Sequence, residues 1–519
     1  MHKINCIVAL TLTLIIGACK EKKENIINPS QTIKKPNIIY ILADDLGYGD
    51  LSSLNPLSKI RTPNMDEVVE DGVHFTDAHS NSSVCTPTRY GILTGRYAFR
   101  TRLKEGVLWG YSPSLIEHDR PTIATYLKEN GYVTACIGKW HLGLDWQKKN
   151  PNKEIKDIAW SQIVEEGYDD NVDYSEKVKG GPDEHGFDYS FIIPASLDMS
   201  PYCYLKNGLV TAPMSEYTKG KQPDEAGRGV FWRPGKKSKG FEFEEVLPTF
   251  IEAATQYIDE NSNGKNPFFM YLPLPAPHTP WLPTEEYHMA SNASKYGDYV
   301  SMVDDMIGKI LHKVSESGIE DDTLIIITSD NGADWRPSDI SETNHKANYT
   351  FKGRKADIYE AGHRVPFIAK WQGLIPAGII SNQVMCTTDL LATIAGILGK
   401  PLPKNFVGDS YNLWPAFIGQ ESQNPIRNVT IHHSLQGIFS IRKDNWKYTP
   451  HLGSGGFTNP KTITPRSGEP PGTLYDMEKD PSESLNLYTE HPRIVKQLDS
   501  LLKIYQKTES NLIKEHERL

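Results

Sequence analysis

The stretch NIIYILADDLGYGD, residues 37–50, decides the class of fold. Its first seven residues are almost continuously apolar and rich in β-branched and aromatic types, which is typical of a strand buried on both faces of a sheet. Two aspartates follow directly, and a glycine comes soon after them, so the chain turns where the strand ends. Strands of this kind occur in parallel sheets covered by helices, and we therefore predict an α/β fold.

Four further segments have the same character and are spread along the chain. They are YVTACIG (132–138), PFFMYLPL (267–274), TLIIITS (323–329) and VPFIAKW (365–371). Helical patterns lie between them, as in TIATYLKENG (122–131) and YVSMVDDMIGKILHKVSESG (299–318), whose final glycine suits a C-cap. The alternation predicts a large doubly wound mixed sheet flanked by helices, in which all five segments are strands.

Two regions depart from this pattern. Residues 147–245 are rich in Gly, Pro, Tyr and charge and weakly periodic, which favours long loops and insertions beside a site. After residue 401, FSIRKDNWKYTP (439–450) and TLYDMEKDP (473–481) resemble short antiparallel strands, and a helical pattern follows at 491–508. We predict a main domain over 36–400 and a smaller C-terminal α+β subdomain over 401–519.

Composition and charge exclude some classes of partner. The 519 residues are 38% hydrophobic and 23% charged, with a formal net charge of −9. A nucleic-acid-binding protein normally carries a basic footprint, so we expect no nucleic-acid partner. An anionic substrate would have to be attracted by local cations, because the global field is negative.

The N-terminus, MHKINCIVALTLTLIIGAC (1–19), has a basic start and an apolar run that is too short to span a bilayer. The residues before Cys19 resemble a bacterial lipoprotein signal, in which cleavage leaves a lipidated cysteine. We expect a signal peptide at 1–18, a flexible tether at 19–35, and export to the periplasmic or cell-surface side with membrane attachment through the lipid alone. Plain secretion with cleavage nearby is the alternative.

Polar residues follow four of the predicted strands. They are Asp44 and Asp45, Lys139 and His141, His278, and Asp330 and Asn331. Ligands of open α/β sheets bind at the carboxyl ends of the strands, so these residues sample the predicted site. The carboxylate and amide oxygens among them suit Ca²⁺ or Mg²⁺ and not a soft metal. Alternatively, each Asp/Asn pair is a simple turn.

The stretch SVCTPTRYGILTG (83–95) places a cysteine just before a helical run. We predict Thr86 as the cap and Pro87 as the first helical residue, with Cys85 at a helix N-terminus that favours an anion. Arg89 would reach the same anion from one turn further on. Three residues separate Cys85 from Arg89, whereas a cysteine phosphatase loop needs five. A papain-like nucleophile would need a different flank, and a buried inert thiol stays open.

The flanks of Cys85 carry a family resemblance. CTPTRYGILTG (85–95) resembles the CxPSRxxLLTG signature of the type I, formylglycine-dependent sulfatases, with Thr88 in the position of the usual serine. Other blocks resemble that family in its order: NIIYILADDLGYGD (37–50), GYVTACIGKWHLG (131–143), TSDNG (328–332) and KGRKADIYEAGHRVP (352–366). The resemblance is strongest to the branch of arylsulfatase A and N-acetylgalactosamine-6-sulfatase, and it implies an alkaline phosphatase-like fold.

The resemblance implies a mechanism. A maturation enzyme would oxidise Cys85 to formylglycine, whose hydrate attacks sulfur and later collapses to release sulfate. Thr88 leaves open which maturation enzyme accepts the motif. The resemblance implies one Ca²⁺ held by Asp44, Asp45, residue 85, Asp330 and Asn331. Asp330 would accept the proton of the attacking hydroxyl, Arg89 would orient the hydrate, and Lys139 and Lys355 would bind sulfate. His141 would act as the base, and His278, alone or with Lys355, would protonate the leaving oxygen.

The block KGRKADIYEAGHRVP contains several charged residues. The family pattern places the catalytic lysine after a Gly-x step, which selects Lys355 and not Lys352. We interpret Lys352, Arg354 and His363 as loop charges.

An exported sulfatase is expected to act on a sulfated glycan, and by resemblance on a terminal 6-sulfate of galactose or N-acetylgalactosamine. We predict that Asp198, Tyr202, Trp232 and His432 contribute to the sugar pocket, with structural packing of their segments as the alternative. Two other functions stay open: a phosphodiesterase or phosphonate monoester hydrolase of the same superfamily, and a non-catalytic glycan-binding lipoprotein with unmodified Cys85.

Overall fold

A computed structural model of the protein describes residues 34–155, 169–222, 228–402, 406, 408–420 and 424–507. The predicted signal peptide, Cys19 and nearly all of the tether lie outside the described residues. Within the described part of the chain, no helix has both the length and the apolar character that crossing a membrane requires.

Eighteen strands lie within the described residues. They are β1 (Asn37–Asp44), β2 (Val73–Phe75), β3 (Ala78–His79), β4 (Val133–Lys139), β5 (Tyr189–Ile193), β6 (Leu205–Lys206), β7 (Leu209–Val210), β8 (Glu216–Thr218), β9 (Gly235–Lys237), β10 (Phe268–Pro277), β11 (Thr323–Ser329), β12 (Phe367–Lys370), β13 (Ile379–Ser381), β14 (Met385–Cys386), β15 (Val429–His433), β16 (Phe439–Lys443), β17 (Trp446–Thr449) and β18 (Thr473–Asp476).

Ten α-helices accompany these strands in the described residues. They are α1 (Pro63–Glu70), α2 (Cys85–Thr94), α3 (Ile123–Glu129), α4 (Val246–Asn261), α5 (Ser294–Glu316), α6 (Pro337–Thr343), α7 (Glu360–His363), α8 (Leu390–Leu398), α9 (Trp414–Phe417) and α10 (Pro492–Lys507).

Ten strands form one large mixed sheet in the order β13, β2, β12, β11, β1, β10, β4, β5, β6, β7. β1 lies at its centre and pairs in parallel with β10 on one side and β11 on the other. β4 and β5 continue the parallel part beyond β10. The predicted mixed sheet flanked by helices is confirmed, and each of the five predicted segments contains a strand.

Residues 365–371 share the apolar character of the parallel strands, but β12 within them runs antiparallel to β11. A parallel return needs a crossover that spans the length of the sheet. Between β11 and β12 the chain contains only the short helices α6 and α7. The chain between the two strands therefore stays near the carboxyl end of β11. β12 starts at that end and runs in the opposite direction.

Alternate apolar residues of β1 face the same side of the sheet and pack into the hydrophobic core there. Ile39 and Ile41 are fully buried and share a hydrophobic cluster with Phe250 of α4 and Ile307 of α5. Burial of each such side chain contributes roughly 1.5–3 kcal/mol. Helix α5 begins five residues before its predicted start and ends at Glu316, and Gly318 beyond it has a φ of 65°, the left-handed conformation that favours glycine after a helix.

The described part of residues 147–245 contains short strands between loops. β5, β6 and β7 extend the large sheet, and β8 pairs with β9 alone. These strands, two to five residues long, were not predicted because such short segments give too little periodicity to recognise.

The C-terminal region forms a separate four-stranded antiparallel sheet, β15 to β18, with α10 packed on it. Its predicted strands and final helix are confirmed. Its core includes Tyr97 and Phe99 from the main region. The Tyr97 hydroxyl accepts hydrogen bonds from Arg427 and from the backbone N–H of Ile431, both at 3.1 Å. The two regions therefore share a core, and the boundary at residue 401 stays a prediction.

Candidate active site

The carboxyl ends of four neighbouring strands meet at one side of the large sheet, which we call the polar edge. β1 ends at Asp44, β4 at Lys139, β10 at Pro277 and β11 at Ser329. Because these strands are parallel, the residues that follow them leave the sheet at the same edge. The structure thus brings together the polar residues that sequence analysis placed at strand ends.

Oxygen-bearing side chains crowd the polar edge, where Asp44, Asp45, Asp330 and Asn331 are all buried. Asn331 Nδ2 donates to Asp45 Oδ1 at 2.6 Å, and the backbone N–H of Asp45 donates to Asp330 Oδ1 at 3.3 Å. Oδ1 of Asp44 and Oδ1 of Asn331 are buried without a hydrogen-bond partner in the described residues. Burial and the neighbouring Asp44 carboxylate raise the pKa of Asp330 to about 7.

This donor set fits a hard divalent cation. Carboxylate and amide oxygens are the ligands that Ca²⁺ and Mg²⁺ prefer, and the two buried oxygens without partners are available to a metal. Adjacent buried carboxylates also repel one another, and a cation would relieve that repulsion. Ligand atoms of Asp44, Asp45, Cys85 and His278 all lie within 4.8 Å of one another. The structure therefore places His278 directly beside the group that the sequence indicated.

Two lysine ammonium groups enter the polar edge from opposite parts of the chain. Lys139, fully buried, forms an ion pair with Asp44 and donates to Ser196 Oγ at 3.1 Å. Lys355 Nζ lies 2.7 Å from Oδ1 and 2.8 Å from Oδ2 of Asp45. Although burial disfavours its charge, the Asp45 carboxylate raises the pKa of Lys355 well above its usual value. Both amines are placed to meet an anion next to Cys85.

The guanidinium of Arg89 forms hydrogen bonds with other groups of the protein. Nε and Nη2 both donate to Asp330 Oδ2, at 3.0 and 2.8 Å, and Nη1 donates to the Lys139 carbonyl at 2.9 Å. The side chain is fully buried. Arg89 therefore holds Asp330 in position, and its predicted contact with an anion or aldehyde hydrate at residue 85 stays a prediction.

Cys85 is the first residue of α2, so its predicted location at a helix N-terminus is confirmed. The predicted cap is wrong, because Val84 is the N-cap and Pro87 is the third helical residue. The Thr86 hydroxyl is engaged elsewhere, since it donates to the His141 carbonyl at 3.0 Å. Burial raises the pKa of the Cys85 thiol to about 12. The unmodified thiol therefore stays protonated near neutral pH and is a poor nucleophile.

His141 presents one free ring nitrogen to the site. Its Nε2 lies 2.8 Å from the Leu108 carbonyl, which can only accept, so Nε2 carries the proton. Nδ1 is buried and has no hydrogen-bond partner among the described residues. Burial, with Lys139 and Arg89 nearby, lowers the pKa of His141 well below its usual value, so the ring is neutral. Nδ1 is therefore a proton acceptor.

His278 follows β10 and turns its other nitrogen toward the site. Nδ1 lies 2.5 Å from the Thr279 carbonyl and 3.3 Å from Ser196 Oγ. Nε2 lies 3.8 Å from Asp45 Oδ2. Burial and the Lys355 ammonium lower the pKa of His278.

Three residues at this edge have left-handed backbones that favour glycine. The φ angles are 67° at Asp45, 55° at His141 and 75° at Ala356, which follows Lys355. Each such conformation costs on the order of 1–3 kcal/mol and persists where the surrounding structure enforces it. The fold thus uses strain to aim side chains at this site.

Comparison with known proteins agrees with this geometry. The chain matches the sulfatase family over residues 36–400, more than half of its length. The chain belongs to the sulfatase family. It is a sulfuric ester hydrolase, and the family generally combines a formylglycine with a metal ion.

Individual relatives span nearly the whole sulfatase. An N-acetylgalactosamine-6-O-sulfatase of Bacteroides thetaiotaomicron is 29% identical over 525 residues, covering 94% of this chain and 96% of the relative. Human arylsulfatase A is 28% identical over 481 residues, covering 88% and 83%.

Two solved structures are also similar to this sulfatase. One, from a study of glycosaminoglycan metabolism by Bacteroides thetaiotaomicron, has a TM-score of 0.77 at 29% identity and covers 91% of this chain and 100% of its own. A sulfatase from Pseudoalteromonas sp. has a TM-score of 0.66 at 21% identity, covering 91% and 90%, and supports the fold alone.

A cavity of about 590 Å³ opens over the polar edge of the sulfatase. Cys85, His141, His278 and Lys355 lie among the residues that line it, and so does Asp198, as predicted for the pocket. Asp198 forms an ion pair with Arg233, while its Oδ1 has no hydrogen-bond partner among the described residues.

The structure does not bring the other three predicted sugar contacts to this cavity. Tyr202 is buried and donates its hydroxyl proton toward the carbonyls of Asp198 and Arg233, at 3.1 and 2.7 Å. Trp232 stacks on Phe243 with ring centroids 4.2 Å apart. His432 is fully buried beside other histidines. Hydrogen bonding and packing hold Tyr202 and His432 in the protein interior, and Trp232 is partly buried against Phe243.

Besides Lys355, five cations line the cavity that were not predicted from the sequence to lie there. They are Arg228, Arg233, Arg336, Arg354 and Lys461. Arg354 had been interpreted as a loop charge, yet it lines the cavity and pairs with Asp334. Its position directly before Lys355 is the one signal that could have drawn attention to it.

The interpretation of His363 as a loop charge is wrong, because it is fully buried with His79 and His432 in what we call the histidine cluster. Lys447 Nζ lies 3.1 Å from His363 Nε2, His363 Nδ1 lies 3.0 Å from His79 Nδ1, and His79 Nε2 lies 2.8 Å from Asp77 Oδ1. These distances fit one chain of hydrogen bonds in which each group donates to the next. The cluster is a structural network outside the cavity.

Lys352, also interpreted as a loop charge, is half-buried. Its ammonium lies 4.4 Å from the centroid of the Tyr359 ring and donates to the Glu483 carbonyl at 3.2 Å. Lys352 thus packs against the protein, whereas its neighbour Lys355 enters the site.

Proposed function

We propose that this sulfatase removes sulfate from sulfated glycans, with 6-sulfated N-acetylgalactosamine or galactose as the favoured unit. The observation that carries the mechanism is the position of Cys85, whose ligand atom lies within 4.8 Å of those of Asp44, Asp45 and His278 at the floor of a cavity. Since its thiol is not ionised near neutral pH, the proposal assigns the nucleophile to a formylglycine made from Cys85 by a maturation enzyme.

The glycan assignment is supported by similarity over nearly the full chain. The Bacteroides thetaiotaomicron relative is named an N-acetylgalactosamine-6-O-sulfatase, and a canine relative named N-acetylgalactosamine-6-sulfatase is 27% identical over 502 residues. The cavity volume of about 590 Å³ lies in the range of ligand pockets, roughly 300–1,000 Å³, and leaves room for a sugar beyond the sulfate.

The proposed metal is one Ca²⁺. Asp44, Asp45, Asp330, Asn331 and the oxygen of the modified residue 85 would hold it, and the unpartnered oxygens of Asp44 and Asn331 support this assignment. When bound, the ion would offset the charge of the carboxylates and polarise oxygens next to it.

The formylglycine would supply a hydrated aldehyde whose hydroxyl would pass its proton to Asp330 and attack sulfur as the bond from sulfur to the sugar oxygen breaks. Lys139 and Lys355 would bind sulfate oxygens through their ammonium groups and offset the charge that develops there. The departing oxygen would take a proton from Lys355 or from His278, whose Nε2 would first have to be protonated because Nδ1 faces the Thr279 carbonyl; both residues line the cavity.

His141 would act as the base that allows sulfate to leave residue 85. Its Nδ1 has an available lone pair, and the hydrogen bond from Nε2 to the Leu108 carbonyl keeps the proton on the other nitrogen. Accepting the proton of the second hydroxyl lets the aldehyde re-form as sulfate departs.

We also infer export with a lipid anchor at Cys19, on the periplasmic or cell-surface side. This inference rests on the N-terminal sequence and lies outside the described residues. Radiolabelled fatty acid incorporated by the native protein and absent from a Cys19→Ala variant would support it. Equal release of both proteins into the medium would contradict it.

Two measurements test the proposed function. Peptide mass spectrometry across residues 83–95 should show an aldehyde at position 85 in protein from the native host, and a quantitatively free thiol would overturn the mechanism. Sulfate release should then be compared between 6-sulfated N-acetylgalactosamine and an aryl phosphate. Faster turnover of the phosphate ester would favour a phosphodiesterase or phosphonate hydrolase instead.

A further inference from the structure

Lys355 lies in a tight turn, residues 354–357, which we call the lysine turn. The backbone N–H of Asp357 donates to the Arg354 carbonyl at 3.1 Å, and Asp357 Oδ2 accepts the backbone N–H of Arg354 at 3.0 Å. Lys355 and Ala356 are the two residues between these closing bonds. The carboxylate of Asp357 therefore helps to set the direction in which the Lys355 side chain leaves the backbone.

The lysine turn needs support from its surroundings. Ala356 has a φ of 75°, and a turn with a positive φ at the third of its four residues normally has glycine there. The Ala356 N–H donates to the carbonyl of Ser83 at 2.8 Å, and the Ala356 carbonyl accepts the Leu435 N–H at 2.9 Å. Ser83 lies two residues before Cys85, so the turn is held between the Cys85 segment and the C-terminal region.

The carboxylate of Asp357 also anchors residues 454–458 of the C-terminal region, which we call the C-terminal loop. Asp357 Oδ1 accepts the backbone N–H groups of Phe457 and Thr458, at 2.8 and 3.0 Å. Asp357 Oδ2 accepts the Thr458 hydroxyl at 2.5 Å. One side chain thus bonds the turn that carries the lysine to a loop about a hundred residues further along the chain.

The C-terminal loop and the lysine turn approach so closely that Gly456 has no room for a side chain. A Cβ atom there would lie 2.2 Å from the Ala356 carbonyl oxygen and 2.6 Å from the Asp357 nitrogen. Next to this contact, the Ile358 N–H donates to the Ser454 carbonyl at 2.8 Å. The loop is therefore packed directly against the backbone that follows Lys355.

Asp357 acts on the cavity only through its neighbours. Its side chain is fully buried, and Asp357 does not line the cavity. The residues that it bonds do so, since Arg354 and Phe457 line the cavity together with Lys355. A change at Asp357 would reach a bound substrate through the position of these residues.

We infer that Asp357 is a positioning residue, which closes the lysine turn, bonds it to the C-terminal loop and so holds the Lys355 ammonium where a sulfate oxygen would bind. The inference rests on the proposed role of Lys355 in sulfate binding. It gives the C-terminal region a part in the reaction, because two of the N–H groups that hold Asp357 come from that region.

The position of the Lys355 amine can be measured without turnover. Acetylation by acetic anhydride needs a neutral and accessible amine, and the Lys355 amine is buried in an ion pair with Asp45. In Asp357→Ala we expect the amine to leave this pair, so that its pKa falls toward that of an exposed lysine. Its acetylation rate, followed by peptide mass spectrometry, should rise at least about tenfold.

Lys447 is the internal control for this labelling, because it is a buried lysine outside the cavity. Its acetylation rate should be the same in Asp357→Ala and in the wild type. An unchanged rate at Lys355, or an equal rise at Lys447, overturns the inference.

A double-mutant cycle tests whether Asp357 acts through Lys355. The substrate is 6-sulfated N-acetylgalactosamine or 4-nitrophenyl sulfate, whichever the wild type hydrolyses faster. Asp357→Ala should lower kcat by about 10²-fold in the wild type, the scale of a small misplacement of a catalytic group. In the Lys355→Ala background it should lower kcat by less than about threefold, because the group that it positions is gone. Equal losses in the two backgrounds overturn the inference.

Asp304→Ala is the matched control for stability. Asp304 is also buried and accepts two backbone N–H groups, from Asn64 at 3.1 Å and Met65 at 2.9 Å, but it does not line the cavity. It should lower the midpoint of thermal unfolding and leave kcat near that of the wild type. An equal loss of kcat in Asp304→Ala would show that any buried carboxylate has this effect and would overturn the inference.

Asp357→Asn keeps the test valid if Asp357→Ala does not fold. The amide has the shape of the carboxylate, but its NH₂ group faces an N–H donor of either Arg354 or the C-terminal loop. We expect kcat to fall by about tenfold, the scale of one lost hydrogen bond, and again only while Lys355 is present. A kcat equal to that of the wild type would contradict the inference.

The two measurements separate this inference from the proposed role of Lys355. If Lys355→Ala keeps the wild-type kcat, the sulfate-binding role fails, whereas faster acetylation of Lys355 in Asp357→Ala still supports Asp357 as the residue that positions this amine. If Lys355→Ala loses activity but Asp357→Ala changes neither kcat nor acetylation, the role of Lys355 stands and the inference does not.

Discussion

The polar edge and the histidine cluster both bury charged and titratable groups, but only the polar edge lies at the cavity. At the polar edge, Asp44, Asn331 and His141 each keep a buried polar atom without a hydrogen-bond partner in the described residues. Beside the histidine cluster, Glu360 is bonded to Arg364 at 2.7 Å and to Lys447 at 3.1 Å, whereas within the cluster His432 Nδ1 is also buried without a hydrogen-bond partner in the described residues. The first region lines a cavity and the second is packed inside the protein.

The difference separates a reactive site from a structural one. An unsatisfied buried polar atom costs roughly 1–3 kcal/mol, so several of them beside one cavity indicate a place where a ligand would bind. A buried charged group that is already paired leaves no unsatisfied atom for a ligand to bind. Buried histidines and acids alone therefore do not indicate function, and unsatisfied atoms that face a cavity do.

The largest expected effect is at residue 85. Cys85→Ala removes the precursor of the nucleophile, so kcat for sulfate release should fall by at least roughly 10³-fold. The midpoint of thermal unfolding should change little, because the side chain is small and lies at a helix end. Sulfate release measured by ion chromatography checks this, and residual turnover within tenfold of wild type would contradict it.

The next effect distinguishes two lysines three residues apart. Lys355→Ala should lower kcat by about 10²–10³-fold, the loss expected when a donor to a developing oxyanion is removed. Lys352→Ala is its matched control, since Lys352 packs on Tyr359 and not in the cavity. Equal losses of kcat in the two variants would refute the assignment of Lys355.

Lys447 lies in the buried network next to the histidine cluster, and its replacement tests whether that region is structural. Its ammonium lies 3.1 Å from Glu360 and 2.9 Å from Glu483, and all three side chains are buried. Lys447→Met would leave Glu483 without its ion-pair partner and Glu360 with Arg364 alone, and the free energy of unfolding should fall by about 3–5 kcal/mol. Urea titration measures the loss, while kcat at low temperature should stay near wild type. A variant of normal stability but low kcat would place the cluster in catalysis.

The smallest effect is the pH dependence of stability. Burial lowers the pKa values of His79, His363 and His432, with neighbouring cations or histidines adding to the effect. Above the unfolded pKa of about 6.5 both states are neutral, and below it only the unfolded chain takes up protons. The free energy of unfolding should therefore fall as the pH drops from about 6.5 toward the folded values.

His432→Phe sharpens this prediction because the ring still fills the space between His79 and His363. Removing one buried imidazole should reduce the slope of unfolding free energy against pH between about 6.5 and 5 by up to one proton. Denaturant titrations of both proteins at matched pH give the difference, in which groups common to both cancel. An unchanged slope would show that His432 titrates normally in the folded state.

Much of the fold followed from local patterns. The continuous apolar character of residues 37–43 and 323–329 predicted buried strands whose bounds match β1 and β11 to within one residue. The antiparallel direction of β12 could not be predicted, because it depends on where the intervening chain lies in space. The short strands between residues 189 and 237 were not predicted either, since segments of two to five residues give too little periodicity to recognise.

The residues of the site also divide into those that local patterns predicted and those that they did not. Strand ends, a helix N-terminus and matching blocks located Asp44, Lys139, Asp330 and Cys85 in advance, because parallel strands bring their carboxyl ends together. Arg354 and His363 lie only nine residues apart in one block, and the sequence assigned both to loops. One lines the cavity and the other is buried, because their partners, Asp334 and His79, come from distant segments.

The sequence by itself determined the α/β class, the strand ends that carry the polar groups and the cysteine that heads α2. These follow from periodicity and from rules that act over a few residues. Only the tertiary structure decided which polar atoms are left unsatisfied, which cations line the cavity and which histidines are sealed in the interior. Those outcomes depend on burial and on partners that meet across hundreds of residues, and no local pattern encodes them.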